Sequence, residues 1–181
     1  MPEIIPAILP KNSIDLREKL AKLPREISFF HMDVLEEDIW TDTDKEFEVH
    51  LMVKEPEKII EKWVERGAKR VITHKPINTL SQKVEIGLAV ELHIPLEEVS
   101  PLLSQIDFLH LMSIARIGAQ GRPFDERIFD RINKVRERFP QLSISIDGGI
   151  NITNYQSLLD SGVDRLVVGS GFKELWESLK K

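Results

Sequence analysis

The sequence contains no cysteine and only one tyrosine among its 181 residues. Without cysteine, the chain can form no disulfide and can use no thiolate as a nucleophile or metal ligand. Lysine and arginine are spread along the chain rather than gathered in one block, and the formal net charge is −5. We therefore expect no nucleic-acid partner, because binding to nucleic acid requires clustered positive charge.

Long hydrophobic runs are also missing. The first apolar run, IIPAIL, is short and contains a proline, and Glu3 precedes it. This stretch is typical neither of a signal peptide nor of a membrane-spanning helix. We expect a cytoplasmic protein that has no contact with a membrane.

The composition that remains is that of an ordinary globular protein, with 41% hydrophobic residues. A chain of this length can bury a substantial core. Because no linker or low-complexity tract divides the sequence, we expect residues 1–181 to form one domain.

Short apolar runs alternate with segments of helical periodicity along the whole chain. The predicted strands are 3–9, 26–33, 47–53, 69–75, 85–92, 106–113, 142–147 and 164–170. The predicted helices are 13–23, 55–67, 96–105, 123–139, 151–162 and 172–180. Strands that alternate with helices indicate parallel βαβ units.

Eight predicted strands favour a (β/α)8 TIM barrel, an α/β fold, over an open doubly wound sheet. The chain is short for such a barrel, which usually has about 250 residues. The connections account for the difference, since the segments after the second and fourth strands (34–46 and 77–83) leave little room for helices. We predict a minimal barrel.

Polar side chains are predicted at the carboxyl ends of several strands, where the chemistry of such barrels gathers. They are His31, Asp33, His50, His74 and Asp147. Alone, each histidine could be a core residue bonded to a carbonyl, and each aspartate could cap a helix or shape a turn. Together they suit a divalent transition metal, either Zn, Fe(II), Mn or Co. We assign structural roles to two further histidines, His93 and His110.

Two glycine-containing turns follow the last two predicted strands. Gly148-Gly149 follows the seventh strand and Gly169-Ser170-Gly171 the eighth, each before a predicted helix. Either turn alone could be a tight connection without a ligand. Together they predict a phosphate site, because backbone N–H groups at such turns bind anions.

The chain resembles the ribulose-phosphate 3-epimerase family along nearly its whole length. The resemblance rests on a series of segments in the family's order: IIPAIL at the start, HMDV at 31–34, VHLMV at 49–53, GAKRVITH at 67–74, LMS at 111–113, IDGGIN at 146–151 and GVDRLVVGSGF at 162–172. The combination of HxDV, VHLMV and DGG is fairly specific.

The resemblance implies one metal ion held by His31, Asp33, His50 and Asp147, with His74 lining the pocket. It also implies that Asp33 and Asp147 are the two catalytic bases. Their reaction would invert C3 of a ketopentose phosphate, from D-ribulose 5-phosphate to D-xylulose 5-phosphate, through an enediolate. The implied partners are this sugar phosphate and further copies of the chain in a homo-oligomer.

Three segments depart from the family's pattern and face the substrate. Ala7 replaces a serine, 35–38 replaces a longer lid, and 115–121 replaces a glycine-rich loop. From that last segment we predict that Gly118 joins Gly148, Gly149, Gly169 and Ser170 in the phosphate site, and that Arg116 reaches the phosphate. The departures leave two alternatives: epimerisation of another ketose phosphate, such as allulose 6-phosphate, or a non-catalytic barrel that binds metal or phosphate.

Overall fold

The computed structural model describes residues 2–77 and 84–180 as a closed barrel of eight parallel strands. The strands are β1 (Glu3–Ile8), β2 (Phe29–Val34), β3 (Glu46–Leu51), β4 (Arg70–Thr73), β5 (Glu85–Val90), β6 (Phe108–Met112), β7 (Ser143–Asp147) and β8 (Arg165–Val168). Each strand pairs with the next, and β8 pairs with β1. The predicted (β/α)8 barrel is thus confirmed, and the open sheet is excluded by the pairing of the first and last strands.

Six α-helices surround the described part of the barrel. They are α1 (Ser13–Lys22), α2 (Ile60–Glu65), α3 (Leu96–Val99), α4 (Arg127–Arg138), α5 (Tyr155–Asp160) and α6 (Phe172–Leu179). Residues 35–45 join β2 to β3 without a helix, as predicted. Most of the predicted short connection after β4 (78–83) lies outside the described residues.

Two helix predictions are wrong in part because each segment contains a 3-10 helix, and a proline explains one of the two. The segment predicted as one helix over 96–105 is α3 followed by a 3-10 helix, Ser100–Gln105. Pro101 has no N–H to donate, so regular α-helical bonding does not continue through it. The segment predicted over 55–67 likewise begins as a 3-10 helix, Pro56–Lys58, before α2.

The hydrophobic core lies between the outer face of the barrel and the helices. Leu16 of α1 and Trp63 of α2 are buried against β1–β4, and Ile132 of α4 is buried against the other half of the barrel. Alternation along each strand sends the neighbouring side chains to the opposite face, into the barrel. Because the outer face of the barrel supplies the hydrophobic core, the side chains that point into the barrel can be polar.

The barrel interior is unusually polar for this fold, whose interior is commonly filled with branched aliphatic residues. Its fully buried polar side chains are His31, Glu48, His50, His110 and Ser145. At the start of β6 the ring of Phe108 packs directly on Gly87, where a Cβ would lie only 2.4 Å from the ring. The polar interior and the open carboxyl end together position the candidate site.

Candidate active site

The candidate site is a cluster of histidines and aspartates contributed by four strands. His31 and Asp33 lie on β2, His50 on β3, His110 on β6 and Asp147 on β7. The rings of His31 and His110 stack with centroids 5.6 Å apart across the barrel, and those of His50 and His110 are 5.0 Å apart. Side chains distant in sequence therefore meet on the barrel axis.

The four residues predicted as metal ligands come together in this cluster. His31, His50, His110 and Asp147 each offer a ligand atom, and these atoms lie within 4.8 Å of one another. Asp33 Oδ1 is 3.3 Å from His31 Nε2 and 3.6 Å from His50 Nδ1. The cluster thus contains His110 in addition to the predicted set.

His50 Nδ1 is the atom that best tests whether a cation fits the cluster. It is buried and has no hydrogen-bond partner among the described residues. It faces the carboxylates of Asp33 and Asp147 at 3.6 and 3.7 Å, too far for hydrogen bonds. A buried nitrogen without a partner costs free energy, whereas a cation held between this nitrogen and the two carboxylates would satisfy all three groups. The donor set therefore fits a divalent metal.

Both aspartates are held in the ionised form. Burial raises the pKa of the Asp33 carboxyl, but the neighbouring imidazoles of His31 and His50 outweigh burial, and the pKa lies below its usual value. Burial also raises the pKa of Asp147, but the neighbouring imidazoles of His110 and His50 hold it well below its usual range. Two negative charges therefore line the mouth at neutral pH.

The pKa values of four histidines are shifted, two upward and two downward. Burial lowers the pKa of both His31 and His50, but the neighbouring carboxylates outweigh burial, and both pKa values are raised. The carboxylates are Asp33 and Glu48 at His31, and Asp147 and Asp33 at His50. Burial and the neighbouring histidines lower the pKa of His110, and they lower that of His74 to about 3. In the metal-free site, imidazolium charges thus compensate the carboxylates.

His110 is the residue of this cluster that the sequence reasoning placed in a structural role. Its Nε2 lies 3.3 Å from Asp147 Oδ2, and its Nδ1 lies 3.2 Å from Ser145 Oγ. Alternation was the available signal, because Leu109 and Leu111 pack in the core and therefore turn His110 into the barrel. His74 follows β4 and lies at the rim, where its Nε2 is 2.9 Å from His50 Nε2.

A pocket beside the cluster brings the predicted phosphate-site residues together. Asp33 and Asp147 form part of its floor, and Ala7 and Met112 line its walls. The predicted residues Gly118, Gly148, Gly149, Gly169 and Ser170 all line it. The carboxylates and the glycine turns therefore face one cavity.

The turn after β7 requires both of its glycines for structural reasons. Gly148 and Gly149 have φ values of +117° and +66°. A Cβ on Gly149 would lie 2.5 Å from the backbone nitrogen of Phe124. The turn adopts a left-handed conformation and packs closely on the loop that precedes α4, so these glycines have a structural role with or without an anion.

The prediction that both glycine turns lead directly into helices is wrong for the first turn. The helix predicted over 151–162 begins only at Tyr155, because Asn151 and Asn154 form a side-chain-bonded turn before it. Gly171 directly precedes α6. A helix N-terminus is therefore available to the pocket only after β8.

The loop after β6 lies over the same pocket. Gln120 donates a hydrogen bond of 3.0 Å to the carbonyl oxygen of Ala7, which ties this loop to the end of β1. Arg122 lines the pocket, and Arg116 does not. Arg122 is thus the arginine of this loop that shares the pocket with the glycines, and a contact of Arg116 with the phosphate stays a prediction.

This fold and site define a class: (β/α)8 barrels with a cluster of histidines and carboxylates next to a glycine-lined pocket at the carboxyl end. The sequence model of the Ribulose-phosphate 3 epimerase family matches residues 3–173. The chain belongs to this family of isomerases.

Curated relatives agree with this assignment. The chain is 23% identical to ribulose-phosphate 3-epimerase of Schizosaccharomyces pombe, in an alignment that covers 93% of this chain and 85% of that protein. It is 34% identical to the Aquifex aeolicus protein of the same name over 68% of this chain and 61% of the relative. The Mycoplasma pneumoniae protein is 33% identical over 70% and 63%. The chain thus spans less than two thirds of the last two relatives.

Solved structures show the same fold. A tryptophan synthase structure from Pyrococcus furiosus has a TM-score of 0.68 at 10% identity, covering 93% of this chain and 88% of that chain. Tryptophan synthase subunit alpha from Campylobacter jejuni has a TM-score of 0.59 at 16% identity, with coverage of 94% and 87%. In residues 2–77 and 84–180, no helix has the length and apolar character needed to cross a membrane.

Proposed function

We propose that this protein epimerises C3 of a ketopentose phosphate, interconverting D-ribulose 5-phosphate and D-xylulose 5-phosphate. The observation that carries the proposal is the arrangement of Asp33 and Asp147. The two carboxylates flank His50 Nδ1 at 3.6 and 3.7 Å and share one pocket with the glycine turns. Inversion at carbon needs a proton donor and a proton acceptor on opposite faces of the substrate, and two carboxylates can fill those roles.

His31, Asp33, His50 and Asp147 are the proposed ligands of one divalent transition metal, either Zn, Fe(II), Mn or Co. When bound, such a cation supplies Lewis-acid stabilisation of the negative charge that develops on the substrate oxygens. His110 contacts Asp147 Oδ2 and is 3.2 Å from Ser145, so it helps to orient that carboxylate.

Asp33 and Asp147 are proposed to move the proton. The lowered pKa values of both carboxyl groups leave them in the basic form before substrate binds. One ionised aspartate takes the C3 proton from one face and later releases it to water. The other aspartate takes up a proton from water and delivers it to the opposite face. Proton transfer by a positioned group typically contributes about 10²–10⁴-fold in rate.

The phosphate group of the substrate is proposed to lie against Gly118, Gly148, Gly149, Gly169 and Ser170. Gly171 directly precedes α6, so the backbone N–H groups at the start of this helix favour an anion here. This corner of the pocket lies beside the aspartates, so a phosphate there would leave the sugar carbons over the carboxylates.

Ala7 supports a second candidate substrate, a six-carbon ketose phosphate such as allulose 6-phosphate. Ala7 lines the pocket, and its methyl group offers a sugar hydroxyl no hydrogen bond. Without this polar contact, the pocket has one feature fewer that would select a pentose over a larger sugar. The same two carboxylates would perform the same inversion at C3.

The test follows the C3 hydrogen of each substrate epimer in heavy water by NMR, using zinc-loaded protein and its variants Asp33→Asn and Asp147→Asn. Each variant retains one base, so we expect each to exchange the C3 hydrogen of one epimer while hardly epimerising it. The two variants should prefer opposite epimers. Only variants whose zinc content matches that of the wild type are informative.

Exchange of the same epimer by both variants would contradict a two-face mechanism with these bases. Allulose 6-phosphate is assayed in parallel, and faster turnover of it than of ribulose 5-phosphate would favour the second substrate. Absence of both exchange and turnover in metal-loaded wild type would favour a barrel that binds metal or phosphate without catalysis.

A further inference from the structure

We propose that Glu48 is the positioning residue of the metal site: it fixes which ring nitrogen of His31 faces the aspartates. The inference rests on the metal-binding part of the proposed function and concerns a residue beneath the proposed ligands. Glu48 lies on β3, two residues before His50, and its side chain points into the barrel.

The contact between Glu48 and His31 is short and buried from solvent. His31 Nδ1 lies 2.8 Å from Glu48 Oε1, and both residues are completely buried. The other oxygen of Glu48 accepts a hydrogen bond from the guanidinium of Arg70, and this ion pair keeps the buried carboxyl group ionised. An ionised carboxylate can only accept hydrogen bonds, so Nδ1 of His31 carries the proton and donates it.

The second carboxylate oxygen of Glu48 is held by an arginine. Arg70 Nη1 donates to Glu48 Oε2 at 3.1 Å, and Nη2 of the same guanidinium donates to Glu3 Oε2 at 3.0 Å. A third contact joins Arg70 Nε to Glu85 Oε2 at 3.4 Å. Arg70 therefore neutralises the buried carboxylate and prevents it from rotating.

These contacts determine which ring nitrogen of His31 carries the proton. With Nδ1–H donated to Glu48, the other nitrogen of His31 faces Asp33 Oδ1 at 3.3 Å and belongs to the cluster that could hold a metal. A metal ligand must offer a lone pair, so a neutral His31 protonated on Nδ1 presents the required nitrogen. A carboxylate that fixes a ligating imidazole in this way also increases its basicity.

The substitution Glu48→Gln tests whether Glu48 fixes the tautomer of His31, because it preserves the shape of the side chain and replaces one acceptor oxygen by a donor. The guanidinium of Arg70 has only donors, so the new amide must turn its oxygen to Arg70 and its NH2 group to His31. Nδ1 would then have to accept a hydrogen bond, which moves the proton of neutral His31 to Nε2. That nitrogen would lose the lone pair that a metal requires.

The experiment measures zinc affinity by competition with a chelator and records ¹⁵N NMR spectra of the histidine rings in zinc-loaded protein. In wild type we expect the His31 proton on Nδ1, with Nε2 shifted by zinc. Glu48→Gln should weaken zinc binding about 10–100-fold and, in spectra recorded without zinc, move the proton of neutral His31 from Nδ1 to Nε2. Glu85→Gln is the matched control, since Glu85 contacts the same arginine without touching His31, and it should leave both measurements unchanged.

A wild-type His31 that carries its proton on Nε2 in the zinc-loaded protein would overturn the inference without any variant. Equal zinc affinity of Glu48→Gln and wild type would overturn it as well, and circular dichroism shows whether the variant is folded. Zinc binding that depends on Glu48, in a protein without epimerase activity, would leave this inference standing while the proposed function fails.

Discussion

At the scale of single residues, Arg122 is the charged side chain of the loop after β6 that lines the pocket. Arg122 is exposed and lines the pocket that contains Ser170 and the glycine turns. The preceding Gln120 anchors the loop through the carbonyl oxygen of Ala7. An arginine positioned in this way can add a charge-assisted contact to a phosphate that glycine N–H groups alone would otherwise hold.

We therefore expect Arg122→Ala to raise KM for the ketose phosphate about tenfold, the lower end for a hydrogen bond to a charged group, with a small change in kcat. Steady-state kinetics with metal-loaded protein measures the two constants separately. Arg116→Ala is the matched control, because this exposed arginine of the same loop does not line the pocket. A similar rise in KM for both variants would assign the effect to general charge rather than to a contact.

The sequence alone marks some residues of the candidate site but not the residues that contact and support them. His31 and Asp33 stand two apart on a strand, and Asp147 precedes two glycines, so alternation and motif both mark them. His110 lies between two leucines, where a histidine is ordinarily a core residue. The pairing of Glu48 with Arg70 joins residues 22 apart in sequence, and only the register of β3 against β4 makes them neighbours.

At the scale of elements, an ion-pair cluster helps to hold the short connection after β2. Asp38 accepts hydrogen bonds from Arg66 at 2.6 and 3.2 Å and contacts Lys62 of α2. The guanidinium of Arg66 lies 4.6 Å from the ring centre of Trp63 and 5.3 Å from that of Trp40. These contacts fasten residues 35–45 to α2 where a more typical barrel would have a helix.

Asp38→Asn should lower the free energy of unfolding at neutral pH by up to about 1 kcal/mol, the range of exposed ion pairs. Hydrogen bonding to Arg66 lowers the folded-state pKa of Asp38 from 3.8. Its contribution is therefore complete above the unfolded value and is lost as the pH falls through the folded value. Urea unfolding should show a gap between wild type and variant at pH 7 that closes in acid, as the pH falls through the lowered pKa of Asp38.

Asp42→Asn controls for a general charge effect, because Asp42 is exposed on the same connection and forms no ion pair with the described residues. An equal loss of stability in both variants, or a gap that persists in acid, would contradict the assigned role of Asp38.

The order of elements was predictable from the sequence, but several of their ends were not. Apolar runs such as those of β7 and β8 are long enough to mark buried parallel strands. The start of α5 depends on hydrogen bonds between Asn151 and Asn154, which periodicity does not register. Local side-chain bonding therefore decided the boundaries, while the hydrophobic pattern decided the architecture.

At the scale of the whole molecule, the cluster joins distant parts of the barrel. His31 and Asp33 of β2, His50 of β3 and Asp147 of β7 would be cross-linked by one bound cation. Without metal, the raised pKa of His31 and the lowered pKa of Asp33 already provide an internal charge balance. The metal-free chain should therefore fold, unlike small metal-dependent domains that unfold when the metal is removed.

Zinc should accordingly raise the melting temperature without being required for folding. A ligand that binds the folded state alone and is present at about 100 times its Kd stabilises it by about 2.7 kcal/mol. For a chain of this size that corresponds to roughly 5–10 °C, which scanning calorimetry with and without a chelator would measure. Asp147→Asn should lose most of the shift, whereas His93→Ala, a substitution at an exposed histidine next to the rim residue Glu91, should keep it. A shift of equal size in Asp147→Asn would mean that zinc binds outside the barrel mouth. Unfolding of the wild type by chelator alone would mean that the histidines and carboxylates do not balance their charges without metal.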